Sequence, residues 1–170
     1  MQIAVTIDDL AFVAADAVAR PVNAELRAMT PVMRRLEQAA GEGLLRQLHI
    51  HEPLDVGSAV VTPAGAVHAG LMIHAVVSTE TERVSRDGVR RATTSALQRA
   101  HDFGVAHLAM APFGLGAGNL DVEDAAQTMV AAIRAQAESR KAPEGVTIIV
   151  ENDLELEAFR GAVARFWSER

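Results

Sequence analysis

The sequence predicts an α/β fold: a three-layer α/β/α arrangement around a central mixed, mostly parallel sheet of about six strands. Three observations carry this. From Ser85 onward, apolar runs of strand length alternate with longer segments of helical periodicity, the order that parallel strands joined by crossover helices require. Before Ser85, strand-like runs follow one another, so the sheet is mixed. Residues 112–119 place glycines at 114, 116 and 118 between an apolar run and a polar helix start, which makes a strand, glycine loop and helix unit.

Each element has its own local reason. Residues 2–7 alternate polar and apolar side chains and form a strand that Asp8 and Asp9 end. A second strand runs over residues 16–20 and is expected to stop at Pro21, which cannot donate to a sheet ladder. Thr30 and Pro31 start a helix as N-cap and first helical residue, with Val32, Leu36, Ala39 and Ala40 as its buried stripe and Gly41 as its C-cap. A short helix through Leu44, Leu45 and Leu48 follows, closed by Pro53. Residues 58–62 and 71–77 are two strands joined through the turn residues Pro63, Ala64 and Gly65, and the second, apolar almost throughout, belongs in the sheet centre.

A long amphipathic helix then runs from Arg86 to Phe103. Ser85 is its N-cap, Val89, Ala92, Ala96, Leu97 and Ala100 point inward, and Gly104 is its C-cap. A buried strand over residues 105–111 leads into the glycine loop, and Asp121 caps a helix from Val122 to about Glu138. A break at Pro143 and Gly145, a strand over residues 146–150 and a helix from Leu154 to about Ser168 complete a single domain, 1–170, without internal repeats.

Composition narrows the function. Hydrophobic residues are 49% of the chain and charged ones 22%, as in ordinary globular proteins, and a net charge of −6 makes nucleic acid an improbable partner. There is no cysteine, so disulfides and thiolate chemistry are excluded. The N-terminus turns acidic at once, and no apolar run approaches membrane-spanning length. A cytoplasmic protein without membrane attachment is expected.

The glycine loop carries the clearest chemistry. Glycine lets a ligand approach main-chain N–H groups without a Cβ in the way, and a helix start adds further donors, so the loop suits an anion; a plain tight turn is the alternative. It is not a nucleotide P-loop, because no Lys-Ser or Lys-Thr follows, and its glycine spacing does not match a dinucleotide fingerprint. Histidines 49 and 51 share one side of an extended segment, with His68 and His74 elsewhere, but without cysteine or an established spacing the reading is no metal and no cofactor. His74 reads as a packed, hydrogen-bonded strand histidine; His101 and His107 read as structural.

At this point the chain resembles a known family, the macro domain, over residues from about Asp9 to Val150. Asp8-Asp9-Leu10 is similar to the family's Gly-Asp-Ile, and Asp16-Ala17-Val18-Ala19-Arg20-Pro21-Val22-Asn23 stands where the family has Asp-Ala-Ile-Val-Asn-Ala-Ala-Asn. The segments 57–65 and 72–76 look like its next two strands, and Gly114-Leu115-Gly116-Ala117-Gly118 resembles its second phosphate loop. The resemblance implies a site for ADP-ribose, with ADP-ribose or an ADP-ribosylated protein as partner. In it Asp9 accepts from the adenine amine, the main-chain N–H of Leu10 serves a ring nitrogen, Asn23 bonds the distal ribose, and residues 114–118 hold the diphosphate. For Asp9 the alternative is a turn carboxylate, and for Asn23 a local bond to its own backbone. Asn152, just past the last strand, is a candidate for the adenine-stacking position.

Departures from the family pattern bear on catalysis. Arg20 replaces the first conserved Asn; it reads either as a guanidinium that contacts a phosphate or as a strand-end arginine reaching solvent. The glycine run that wraps the distal ribose is replaced by Ala28-Met29-Thr30-Pro31, and Pro31 has no N–H to give. Binding of ADP-ribose or a related adenine nucleotide diphosphate without efficient turnover is therefore expected. The alternatives are an ADP-ribosyl hydrolase in which Asn23 helps position the water, and a scaffold whose site has decayed.

Overall fold

The computed structural model describes residues 1–50, 52–139 and 141–167. In chain order the elements are β1 (Gln2–Ile7), β2 (Ala17–Asn23), α1 (Pro31–Ala40), α2 (Glu42–Gln47), β3 (Ala59–Pro63), β4 (Leu71–Ser78), α3 (Arg86–Asp102), β5 (His107–Met110), α4 (Val122–Glu138), β6 (Gly145–Val150) and α5 (Asp153–Trp167). The strands make one six-stranded sheet in the order β1-β6-β5-β2-β4-β3. Every pairing is parallel except that of β3 with β4, so the sheet is mixed and mostly parallel, and β4 is an interior strand paired on both sides.

The two-residue alternation of the strands divides the interior into two cores. Ala17 and Ala19 of β2, Ile73, Ala75 and Val77 of β4, and Val146 and Ile148 of β6 face α3, α4 and α5, where Leu97, Met129, Ile133 and Phe159 are fully buried. Val18 and Val22, Met72 and Val76, and Ile149 face the other way, onto Met33, Leu36 and Ala40 of α1 and Leu44 of α2. Helices thus cover both faces.

Helix ends follow the sequence signals. Thr30 Oγ1 accepts from the Met33 N–H, Ser85 from that of Gly88 and Asp121 from that of Asp124. At the end of α3 the chain turns through Phe103 into Gly104 at φ 70°, while Gly104 N–H returns to His101 O and Val105 N–H to Ala100 O. The predicted end of the last helix, Ser168, and one predicted histidine, His51, lie outside the described residues.

One boundary needs correction. β2 does not stop before Pro21 but continues through it to Asn23, paired with β4 throughout. Its pairing with β5 covers Ala17 to Ala19 alone, and the Ala19 carbonyl still serves that flank by accepting from Ala111 N–H. Alternation points Pro21 to the same flank, one step beyond the end of the ladder, where a missing N–H breaks nothing.

Candidate functional site

Adjacent parallel strands β2 and β5 send their connections to opposite faces, β2 into α1 and β5 into α4. Such a switch leaves a crevice at the carboxyl ends of the strands. A cavity of about 390 Å³ lies there, within the range of small-molecule sites. Its floor is Pro21, Ala111, Pro112 and Ile149 at the strand ends. The β1 turn, with Asp8, Asp9, Leu10 and Phe12, forms one wall; Thr30, Met33, Arg35 and Leu36 of the α1 segment form another; Leu115 and Gly116 close the far side.

In the β1 turn, Asp9 Oδ1 accepts from Ala11 N–H at 2.9 Å, Asp9 N–H donates to Asp8 Oδ1 at 2.7 Å, and Phe12 N–H donates to Asp9 O at 3.0 Å. One oxygen of Asp9 therefore fixes the turn, and the exposed carboxylate still borders the crevice. The Leu10 side chain is buried and anchors the turn to the core beneath α1.

The glycine loop folds as its composition dictates. Gly114, Gly116 and Gly118 all take positive φ, at 86°, 127° and 78°. Leu120 N–H returns to Gly114 O, Asn119 N–H to Gly116 O and Asn119 Nδ2 to Leu115 O, so the loop is closed by its own carbonyls. Among the described residues, the main-chain N–H groups of Leu115, Gly116, Ala117 and Gly118 donate to no protein acceptor. Leu115 and Gly116 line the crevice, whereas Gly114, Ala117 and Gly118 stand outside its lining. Gly114 instead meets α3: a Cβ there would come within 2.7 Å of Val89 Cγ2.

Arg20 is placed differently from both expectations. It has no solvent exposure and does not line the crevice. Its Nε donates to His74 Nδ1 at 2.8 Å, Nη1 to Glu37 Oε1 at 2.5 Å and Nη2 to Leu26 O at 3.0 Å. β2 alternation turns it under α1, away from water and from the crevice lining, so it is an internal clamp. Asn23 also lies outside the lining. Its Oδ1 accepts from the N–H groups of Glu25 and Arg27, the local backbone bond that was its alternative reading. Asn152 is a helix cap: its Oδ1 accepts from Glu155 N–H, and its Nδ2 donates to Glu155 Oε2.

The opposite end of the crevice is acidic, with Asp8, Asp9, Glu151 and Glu155 in its lining and Arg35 reaching Glu151 at 3.5 Å. Burial, reinforced by the charge of Glu151, raises the Glu155 carboxyl above its usual range. The residue that sequence reasoning missed is Phe12. It borders the crevice with 70% of its surface exposed, and the only signal was an aromatic side chain two positions after Leu10.

His74 is the packed strand histidine its position predicts, and it titrates in a definable window. Arg20 Nε can only donate, so Nδ1 accepts, and the proton sits on Nε2, 2.8 Å from Thr62 Oγ1. Burial first, and the Arg20 charge second, lower its pKa from 6.5 to about 3. Below about pH 6.5 the unfolded chain binds a proton that the native one refuses. Stability therefore falls with decreasing pH by about 1.4 kcal/mol per unit until the folded pKa is reached. Urea unfolding at pH 7 and pH 5 should show a loss of about 2 kcal/mol from this group, and His74→Gln should flatten that slope.

Among the described residues no three His, Asp or Glu side chains gather as a metal-holding group, and no helix is long and apolar enough to cross a membrane. The family model for the Macro domain matches residues 19–129. A Mycobacterium tuberculosis protein is 32% identical over 151 residues, 87% of this chain and 41% of the relative. An Aeropyrum pernix protein is 30% identical over 160 residues, 94% of this chain and 82% of the relative. The chain thus spans about two fifths of the length of the mycobacterial relatives. In structure it is similar to the Oceanobacillus iheyensis macrodomain. The form solved with ADP has a TM-score of 0.86 at 14% identity, covering 98% of this chain and 92% of that one. A mutant solved with ADPR has the same TM-score and identity, covering 97% and 93%.

Proposed function

Because the chain belongs to the macro domain family, we propose that its crevice binds ADP-ribose or a related adenine nucleotide diphosphate, in the cytoplasm, without efficient turnover. The observation that carries this reading is the glycine loop. Four consecutive N–H groups without a protein acceptor, two of them on residues lining the cavity, form a preorganised anion cradle. Asp9 and the Leu10 N–H, on the opposite wall, offer the acceptor and donor that match the amine and ring nitrogen of adenine. The similar macrodomain solved with ADP and with ADPR is consistent with a ligand of this shape. Weak turnover follows from Asn23: the oxygen that could position a water already holds two loop amides.

Titration calorimetry with ADP-ribose tests the reading directly, and saturable binding at one site per chain is expected. A thermal-shift panel of ADP-ribose, ADP, ATP, NAD and pyrophosphate then separates base from phosphate recognition, since a ligand of the native state raises the melting temperature by mass action. No binding by any member would overturn the proposal, and rapid release of ADP-ribose from a modified protein at substoichiometric enzyme would overturn the reading of inefficient turnover.

Phe12 completes the base end. An aromatic ring this exposed beside a cavity gains from covering a base face, and such stacking is worth on the order of 1–3 kcal/mol. Phe12→Ala should weaken ADP binding by roughly tenfold while leaving any pyrophosphate affinity unchanged, both read by calorimetry.

A further inference from the structure

The sheet order sets what each strand end can face along the crevice. β1, β6 and β5 are consecutive parallel neighbours, with Ile7 beside Val150 and Met110 beside Ile148, so their carboxyl ends open onto one edge. The turn after β1 carries Asp9, Leu10 and Phe12, and the chain after β5 carries Leu115 and Gly116; all of these line the crevice. Neighbouring strands lie about 4.8 Å apart, which puts roughly 10 Å between those two strand ends. The residue between them is Glu151, directly after β6 and also in the lining.

Glu151 is therefore placed to meet whatever joins a base at the β1 turn to phosphates at the glycine loop. Its side chain is 41% exposed, and Arg35, reaching over from α1, meets its Oε2 at 3.5 Å. Among the described residues, its Oε1 has no protein donor. Three more carboxylates, Asp8, Asp9 and Glu155, share this end of the lining, where Arg35 is the single cationic side chain. Both oxygens of Glu155 are already taken, Oε1 by Glu151 N–H at 3.4 Å and Oε2 by Asn152 Nδ2 at 2.9 Å. Burial first, and the Glu151 charge as well, hold the Glu155 carboxyl above its usual range, so added negative charge is unwelcome here.

We infer that Glu151 reads the adenosine ribose: its carboxylate accepts from the 2′-hydroxyl, and a nucleotide that carries a phosphate on that oxygen is rejected. The inference rests on the nucleotide reading above. Of the two ribose hydroxyls the 2′ is nearer the base, and the carboxylates gather at the base end. A carboxylate for a free 2′-hydroxyl and an arginine for a 2′-phosphate are the two solutions that dinucleotide-binding folds use. This crevice holds both groups, and the balance of charge decides between them. A hydroxyl finds an ionised acceptor, a stronger bond than one between neutral groups. A phosphate finds four carboxylates and one guanidinium, and Arg35 could take it only by leaving Glu151 to face it without a counter-ion.

Calorimetry with ADP-ribose and 2′-phospho-ADP-ribose, on the parent and on Glu151→Gln, tests it. In the parent the 2′-phosphate should weaken binding at least about tenfold at low ionic strength, with a gap that narrows as salt screens the charges. Glu151→Gln keeps the size of the side chain and removes its charge, and there the gap should shrink to within about threefold. Equal or tighter binding of 2′-phospho-ADP-ribose by the parent would overturn the inference and assign the phosphate to Arg35. A gap that Glu151→Gln leaves intact would overturn it too, by moving the rejection to another wall. Either result leaves nucleotide binding standing, whereas failure of ADP-ribose itself to bind removes that reading and the inference with it.

Discussion

Gly116→Glu is expected to abolish ADP-ribose binding, with a loss of at least about 100-fold in affinity. Gly116 sits at φ 127°, where side chains are rarely tolerated, and a Cβ there would come within 3.1 Å of Asn119 Nδ2 and 3.3 Å of Thr30 Cγ2. Gly116 lines the crevice, so on the proposed reading the glutamate carboxylate competes for the space beside the unpaired N–H groups of residues 115–118. It opposes a phosphate by charge and by volume together. Backbone strain of about 1–3 kcal/mol accompanies any side chain at this φ, so Gly116→Ala is the control that carries the strain without the charge. Calorimetry of both variants, with circular dichroism melts to confirm folding, separates the effects. A Gly116→Glu protein that folds and binds as tightly as the parent would show that the diphosphate lies elsewhere.

That loop was legible in the sequence because its signal is local. Glycine at alternating positions between an apolar run and a capped helix needs no knowledge of the fold, and the caps at Thr30, Ser85 and Asp121 were readable for the same reason. The layers came from the alternation of strand and helix segments after Ser85, and the strand count from six separate strand-like runs, each read from its own pattern. Pro21 misled because a proline ends a ladder only if its flank is still paired. That depends on where β5 stops, nearly ninety residues further along the chain. Arg20 misled for a related reason: its environment is built by Leu26, Glu37 and His74, which come from a loop, a helix and a neighbouring strand. Base rates favour an exposed arginine, and no local pattern announces the carboxylate that keeps one buried. Phe12 escaped because a single aromatic in a turn has no periodicity to reveal which way it faces.

Breaking the clamp around Arg20 should be the most destabilising polar substitution in this chain. Its guanidinium has no exposed surface, and the Glu37 side chain that meets it is only 13% exposed. Burial pushes the guanidinium below its ordinary range, and Glu37 pulls it back by hydrogen bond and charge. Glu37→Ala therefore strands a cation in the interior and at the same time takes the acceptor from Ala28 N–H. Removing one partner of a buried pair costs about 3–5 kcal/mol, a large share of the roughly 5–15 kcal/mol that a domain has in total. Urea denaturation should show this as a lower midpoint with an unchanged slope. Glu37→Gln keeps an acceptor for Ala28 but not the charge, and should fall between parent and Glu37→Ala. Replacing both partners, as Arg20→Met with Glu37→Leu, should recover part of the loss, because no charge is then left without a partner. A cost below about 1 kcal/mol for Glu37→Ala would mean that the loop is held by the packing of Leu26 and Met29 instead. The pair matters by position: one carboxylate oxygen ties β2 through Arg20 and the following loop through Ala28, so the same bonds hold that loop and keep Arg20 charged.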